Sequence, residues 1–132
     1  MRKAFIIFCL GLGLSGPALA DPGAIRKVIE DQIAAFEQGD VEQAFTYASP
    51  TIQNLFGTPD RFGVMVQRGY PMVWGPEDLR FLDIETRAGR VYQPVMIRDS
   101  QGALHILDYE MIEGAAGWKI DAVRLREPAG AV

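Results

Sequence analysis

The sequence predicts an α+β domain in which N-terminal helices pack on one face of a four-stranded antiparallel meander. Two observations carry this prediction. Up to Gly69, apolar residues recur every three or four positions, as on the buried face of a helix, whereas beyond Leu79 they form runs of strand length. No linker rich in proline, glycine or serine separates the two halves, so residues 21–132 are expected to form a single domain.

The first helix is predicted from a stripe of apolar residues at helical spacing. Pro22 suits the first turn of this helix, and Gly39 suits its C-terminal cap. The buried face is expected to comprise Ile25, Val28, Ile29, Ile33 and Phe36.

A second, shorter helix is expected to begin directly after the Gly39-Asp40 break. Asp40 is placed to cap it, with Gln43 three residues later in a position resembling a capping box. Its inner stripe would consist of Val41, Ala44, Phe45 and Ala48. Pro50 keeps the preceding Ser49 out of helical geometry, so the helix should end there.

A third helix is predicted to begin at Thr58-Pro59, after a brief helical turn over 51–56. Thr58 is a suitable N-cap, and Pro59 is favoured at the first helical position. The helix should end near Gly69. Residues 69–76, GYPMVWGP, then form an aromatic connection whose prolines and glycines exclude a long regular element.

Four runs of strand length follow, at 79–87, 90–99, 103–112 and 118–126. The gaps between them are short and contain turn residues, which favours antiparallel hairpins. The third run has large apolar residues on both faces, such as Leu107 on one and Ile106 on the other. These are either ordinary exposed side chains or the sign of a homodimer formed through the sheet face.

Residues 1–20 have the pattern of a cleaved secretory signal peptide. The basic Arg2 and Lys3 precede the apolar run 4–14, and Ala18-Leu19-Ala20 forms an A-x-A cleavage site, so the mature chain should begin at Asp21. We therefore expect export, to the periplasm or to the medium, with no membrane insertion after cleavage. Cys9 is the only cysteine and would leave with the signal peptide, so neither disulfides nor thiolate metal sites are expected.

The charge balance excludes several classes of partner. The mature chain would carry 11 basic and 17 acidic residues, a net charge of −6. Nucleic-acid binding depends on clustered lysine and arginine, and the sequence contains no such cluster. A single histidine and the loss of Cys9 also argue against a metal site, and no motif for a cofactor is present.

Two stretches resemble known families. IAAFEQGDVEQAF is similar to the first two helices of the nuclear transport factor 2-like (NTF2-like) superfamily, in which helices pack into a curved sheet to form a cone with a pocket. ASPTIQNLFGTPDRFGVMVQRGYPMVW, with the final GWKIDAVRL, resembles the family known as domain of unknown function 4864. The resemblance covers 25–125 and implies a bacterial source. Because the superfamily contains both enzymes and binding modules, it does not specify an activity.

Acid-base chemistry in such a cone would require a base in an apolar setting. The candidates are His105, Asp83 and Asp108, since burial raises the pKa of a carboxyl group and makes it a better base. Asp108 is three positions from His105 and so points through the opposite face of the sheet. The alternative is that the strand carboxylates pair with arginine or lysine on neighbouring strands and that His105 is structural.

Aromatic and methionine residues are the other candidates for function. Tyr70 and Trp74 in the aromatic connection, and Tyr109 and Met111 in the third strand, are predicted to line a pocket or to plug it. The pattern favours a non-catalytic domain that binds a small apolar ligand or a protein partner. The alternatives are a cofactor-free isomerase or dehydratase, and a structural interaction module whose cone is filled.

Overall fold

The helices precede the strands along the chain, as the sequence predicts. The computed structural model describes residues 20–126, so the predicted signal peptide lies outside the described residues except for Ala20. The helices are α1 (Pro22–Glu37), α2 (Val41–Thr46), α3 (Pro50–Phe56), α4 (Pro59–Gly69) and a 3-10 helix (Pro71–Trp74). The strands are β1 (Asp78–Phe81), β2 (Glu85–Arg87), β3 (Arg90–Arg98), β4 (Leu104–Gly114) and β5 (Gly117–Arg126).

Each α-helix begins with a side chain that caps its N-terminus. Asp40 accepts a hydrogen bond from the Gln43 backbone N–H, and Thr58 accepts one from the Arg61 N–H, as the sequence predicts. The capping box at Asp40 is only half formed, because the Gln43 side chain donates to the Tyr47 hydroxyl instead. Gly39 follows α1 with φ +74°, a conformation that favours glycine and turns the chain into α2.

The strands form one antiparallel sheet in the order β1-β3-β4-β5, and β2 also pairs with β3. The sheet therefore has five strands, and the prediction of four was wrong. The predicted single strand over 79–87 divides into β1 and β2, which lie end to end along the same edge of β3. The division occurs where three residues, 82–84, lie opposite only two residues of β3.

Pro94 explains the position of this break. The Leu82 N–H donates to the Pro94 carbonyl at 3.0 Å, but Pro94 has no N–H to return to the Leu82 carbonyl. The Gln93 side chain supplies the missing donor, because its Nε2 lies 2.6 Å from that carbonyl oxygen. A side chain thus completes a hydrogen-bonded pair that the backbone leaves half formed.

The core lies between the helices and the inner face of the sheet. Helix α1 contributes Ile25, Ile29 and Phe36, and β3 and β4 contribute Val95 and Leu107, all with almost no exposed surface. Burying an aliphatic or aromatic side chain of this size stabilises the fold by about 1.5–3 kcal/mol. The α1 residues recur at helical spacing, as predicted, whereas β3 buries three consecutive residues, 93–95, in addition to Ile97.

The outer face of the sheet combines ion pairs with exposed apolar residues. Glu110 is only 9% exposed and pairs with Arg90 and Arg124, at 3.2 and 3.7 Å. On the same face, Leu104 and Ile112 remain 51% and 47% exposed. Both apolar residues and charges therefore occupy this face, and the homodimer through it stays a prediction.

Candidate functional site

An apolar cavity of about 260 Å³ lies between the helices and the inner face of the sheet. Helices α1, α3 and α4 form one wall, and β4 and β5 form the other. The lining residues are Gln32, Phe36, Ala48, Ile52, Leu55, Phe56, Phe62, Met65, Val66, Tyr70, Val73, Leu107, Tyr109, Ile120, Ala122 and Val123. Ligand sites commonly combine such apolar walls with a few polar groups.

Three polar side chains belong to this wall, and all are uncharged. The Tyr70 hydroxyl donates to the Val123 carbonyl at 2.7 Å, and Gln32 donates from Nε2 to the Ala44 carbonyl at 3.1 Å. The Tyr109 hydroxyl makes no hydrogen bond to any other residue that the structure describes. Burial, with a smaller effect of the neighbouring Tyr70, raises the pKa of the Tyr109 phenol. This hydroxyl therefore stays protonated and available as a donor.

Helix α3 forms the mouth of the cavity. It has no buried residue, and its Leu55 is 70% exposed although it also lines the cavity. Tyr109, by contrast, is only 1% exposed, in the middle of the inner sheet face. The cavity thus has an apolar rim at Leu55 and an enclosed floor at Tyr109.

The start of α3 is fixed to the last strand by Ser49. Its hydroxyl donates to Asp121 at 2.7 Å and accepts from the Ile52 N–H at 3.3 Å, so one side chain joins β5 to the helix terminus. Asp121 is the extra residue of a β-bulge in β5. Ser49 and Ile120 also share a backbone hydrogen bond of 2.8 Å. This attachment sets the position of the mouth relative to the sheet.

No carboxylate, imidazole, lysine or arginine belongs to the cavity wall formed by the described residues. Of the proposed bases, Asp83 is exposed between β1 and β2, and Asp108 pairs with Arg126 on the outer sheet face. The cavity therefore contains none of the three candidates.

His105 lies at the opposite end of β4, where its Nε2 is 2.8 Å from the Asp99 Oδ2. This hydrogen bond, together with one from the Ala103 N–H, lowers the pKa of the Asp99 carboxyl group. Both residues line a second, more polar cavity of about 260 Å³ beside Pro71 and Met72. Asp99 reaches His105 from across the turn, a partner that spacing within β4 does not indicate.

The four predicted pocket residues lie in different places. Tyr70 and Tyr109 line the apolar cavity, whereas Trp74 and Met111 do not. Trp74 packs against Phe36, with 5.0 Å between the ring centroids, and Met111 is buried in the core. Whether any of the four contacts a ligand stays a prediction.

Comparison with protein families identifies the chain. Residues 18–131 match the model of the family described as Domain of unknown function (DUF4864). The chain belongs to this family. Among curated proteins, none matches the sequence of this DUF4864 chain.

Two further observations concern metal ligands and helix length in the DUF4864 domain. Within residues 20–126, no three His, Cys, Asp or Glu side chains are grouped so that they could hold a metal ion. None of the helices in that range has the length and apolar character needed to cross a membrane.

Sequence reasoning missed several residues that form the cavity of this DUF4864 domain. Gln32 was overlooked although it lies beside Ile33 and between Ile29 and Phe36 in the apolar stripe of α1, where a polar residue is unusual. That irregularity was a usable signal. Ile52, Leu55 and Phe56 come from a segment expected to be only a brief turn, and nothing in their spacing indicated that they line a cavity.

Proposed function

We propose that this protein is an exported, non-catalytic domain of NTF2-like type that binds a small apolar ligand in the cavity between α1, α3, α4 and the sheet. The N-terminal pattern of the sequence supports export. The packing of the helices on a single face of an antiparallel sheet supports the cone-like arrangement. The helices and the sheet enclose the cavity between them.

The observation that carries this proposal is the open apolar cavity with an unpaired hydroxyl at its floor. A cone filled by its own side chains would leave no volume there, yet a cavity of about 260 Å³ is lined by residues such as Ile52, Val66 and Leu107. Tyr109 makes no hydrogen bond to any described residue although it lines the cavity, so its hydroxyl is free to donate to a bound molecule.

Binding rather than acid-base catalysis is favoured by the composition of the wall. Cofactor-free isomerisation or dehydration requires a group that accepts a proton near neutral pH. The only titratable groups on the described wall are two tyrosines, and burial raises the pKa of Tyr109 further from neutrality. Its phenol therefore acts as a hydrogen-bond donor and not as a base.

The test uses the mature chain, residues 21–132, and the neutral fluorescent probe N-phenyl-1-naphthylamine. We expect the probe to bind with increased emission, and native mass spectrometry of gently purified protein to reveal any molecule retained from the cell. Val123→Phe, which places a larger side chain in the cavity wall, should weaken probe binding at least tenfold.

Val64→Phe is the matched control, because Val64 is exposed on α4 and does not line the cavity. This variant should bind the probe as the parent chain does. Equal binding by both variants would place the probe elsewhere on the molecule. No binding to a folded parent chain would contradict the proposed function.

A further inference from the structure

We propose, resting on the function above, that the ligand is an uncharged molecule with one carbonyl or hydroxyl oxygen on an apolar body. It enters with this oxygen first, so that the oxygen accepts a hydrogen bond from Tyr109 at the floor and the apolar part extends toward Leu55. The polarity of the wall and the depth of its residues carry this inference.

The wall of the cavity is uncharged among the described residues. The described lining residues include no cation and no anion, so an ionised ligand group would lose its hydration without gaining an opposite charge. Desolvating an isolated charge in an apolar site is far more costly than desolvating a neutral polar group. The wall therefore discriminates against carboxylates, phosphates and ammonium groups.

The polar side chains of the wall differ in whether their protons are already used in hydrogen bonds. Tyr70 uses its proton on the Val123 carbonyl, and Gln32 uses one amide proton on the Ala44 carbonyl. Tyr109 has its proton free of any described partner, so the floor offers a donor to an oxygen that can accept. A ketone, an aldehyde or an alcohol has such an oxygen and carries no charge.

The different depths of Tyr109 and Leu55 favour one orientation of a ligand in the cavity. The hydroxyl donor belongs to a residue that is 1% exposed, whereas the rim residue Leu55 is 70% exposed and purely apolar. A ligand oriented the other way would leave its oxygen at an apolar rim and its apolar part against the Tyr109 hydroxyl. Only entry with the oxygen first pairs the polar atoms and buries the apolar surface.

The experiment compares four eight-carbon compounds as competitors of N-phenyl-1-naphthylamine at pH 8: 2-octanone, 1-octanol, octane and octanoate. Octanoate is ionised at this pH, since carboxyl groups titrate near pH 4. We expect 2-octanone and 1-octanol to compete at least tenfold better than octanoate. Octane, which has no acceptor oxygen, is the reference compound for the variant described next. Octanoate competing as well as 2-octanone would overturn the inference while leaving the proposed function intact.

Tyr109→Phe tests the contact itself. It keeps the ring and removes the hydroxyl, so 2-octanone should bind about fivefold more weakly while octane is unaffected. Tyr47→Phe is the control, because the Tyr47 hydroxyl accepts from Gln43 and Tyr47 does not line the cavity. Unchanged affinity of folded Tyr109→Phe for 2-octanone would refute the contact.

A second readout does not depend on the folding of a variant. The carbonyl ¹³C resonance of labelled 2-octanone bound to the parent chain should lie downfield of its position in hydrocarbon solvent, because a donated hydrogen bond deshields that carbon. A bound resonance at the position found in hydrocarbon solvent would overturn the inference. Absence of probe binding by the folded parent chain would instead contradict the proposed function.

Discussion

The Gln93 side chain donates a hydrogen bond of 2.6 Å from Nε2 to the Leu82 carbonyl, in place of the N–H that Pro94 lacks. Gln93 is fully buried, and its Oε1 has no partner among the described residues. The same Nε2 also donates to the Pro94 carbonyl at 2.8 Å. The side chain is therefore held at the junction between β1 and β2.

Gln93→Leu should destabilise the domain by about 1 kcal/mol, because it leaves the Leu82 carbonyl without its donor. The lower end of the usual 1–3 kcal/mol range is expected, since the substitution also removes the unpaired Oε1. Urea unfolding followed by circular dichroism measures the change. In a Pro94→Ala background, Gln93→Leu should lower the free energy of unfolding by less, because residue 94 then has an N–H that can donate to the Leu82 carbonyl.

Gln43→Leu is the control for this prediction. Gln43 is exposed and bonds only to the Tyr47 hydroxyl through its side chain, so its replacement should change stability by no more than about 0.5 kcal/mol. An equal cost of Gln93→Leu with and without Pro94 would show that the missing proline N–H is not the reason for the interaction.

Gly63→Ala should destabilise the packing of α4 on α2. A Cβ atom at Gly63 would lie 2.7 Å from Cγ1 of Val41, closer than carbon atoms approach without displacement. Alanine is better than glycine in a helix by about 1 kcal/mol, and overpacking costs about 1–3 kcal/mol. We expect a net loss of about 1 kcal/mol, because the β-branched side chain of Val41 has little rotameric freedom.

The Gly63→Ala experiment has a rescue variant and a control variant. Val41→Ala removes the obstructing methyl groups, so the double variant should lose less stability than the two single variants together. Gly69→Ala should be neutral or slightly stabilising, because nothing lies within 4 Å of its added Cβ. A stabilised Gly63→Ala single variant would show that the helices can separate freely at this crossing.

Ser49→Ala should lower stability by about 1–2 kcal/mol, since it removes both the cap of α3 and the hydrogen bond to Asp121. Thr58→Ala is the matched comparison, because Thr58 caps α4 with a single exposed hydrogen bond. This substitution should lower stability by about 0.5–1 kcal/mol. Thermal unfolding measures both. A smaller loss for Ser49→Ala than for Thr58→Ala would contradict a role of Asp121 in holding α3.

Asp99 should make stability depend on pH in the acid range. Its carboxyl group is hydrogen-bonded by His105 and by the Ala103 N–H, and its folded pKa therefore lies below the unfolded value of 3.8. The carboxylate then stabilises the fold fully above pH 3.8, and this contribution is lost as the pH falls through the lower, folded pKa.

The measurement is the melting temperature between pH 2 and pH 6. Asp99→Asn keeps an acceptor for the turn N–H groups but removes the titrating charge, so its curve should decline less steeply below pH 4 than the parent curve. Asp83→Asn, at an exposed position away from the Asp99 turn, is the control for the loss of one acidic residue. Parallel curves for the parent chain and Asp99→Asn would contradict this assignment.

The helices could be predicted because their signals are local. Asp40 and Thr58 are followed directly by the segments they cap, and Gly39 is adjacent to the turn that requires it. The order of strands β3, β4 and β5 also follows from short gaps between consecutive runs. In each case, the residues that specify the element lie within a few positions of it.

The features that the sequence did not predict depend on residues that are distant from one another along the chain. The division of the first strand run follows from Pro94, which lies on a different strand. His105 contacts its acid partner across a turn, and α3, which lines the cavity, is attached through Ser49 to the distant Asp121. Position along β4 likewise separates Tyr109, on the cavity floor, from Met111, which lies two residues further along the same face of the strand. Spacing alone does not contain this information.

The attachment of Ser49 to Asp121 also bears on the order in which the molecule can fold. These residues are 72 positions apart, so the helical half is joined to a strand that leaves the ribosome last among the described elements. The chain loses conformational entropy when so long a loop closes, before the contacts between its ends stabilise the fold. This loss slows folding. A nascent chain that ends before β5 would thus hold its helices without their final anchor, and folding should be completed only after synthesis has passed Arg126.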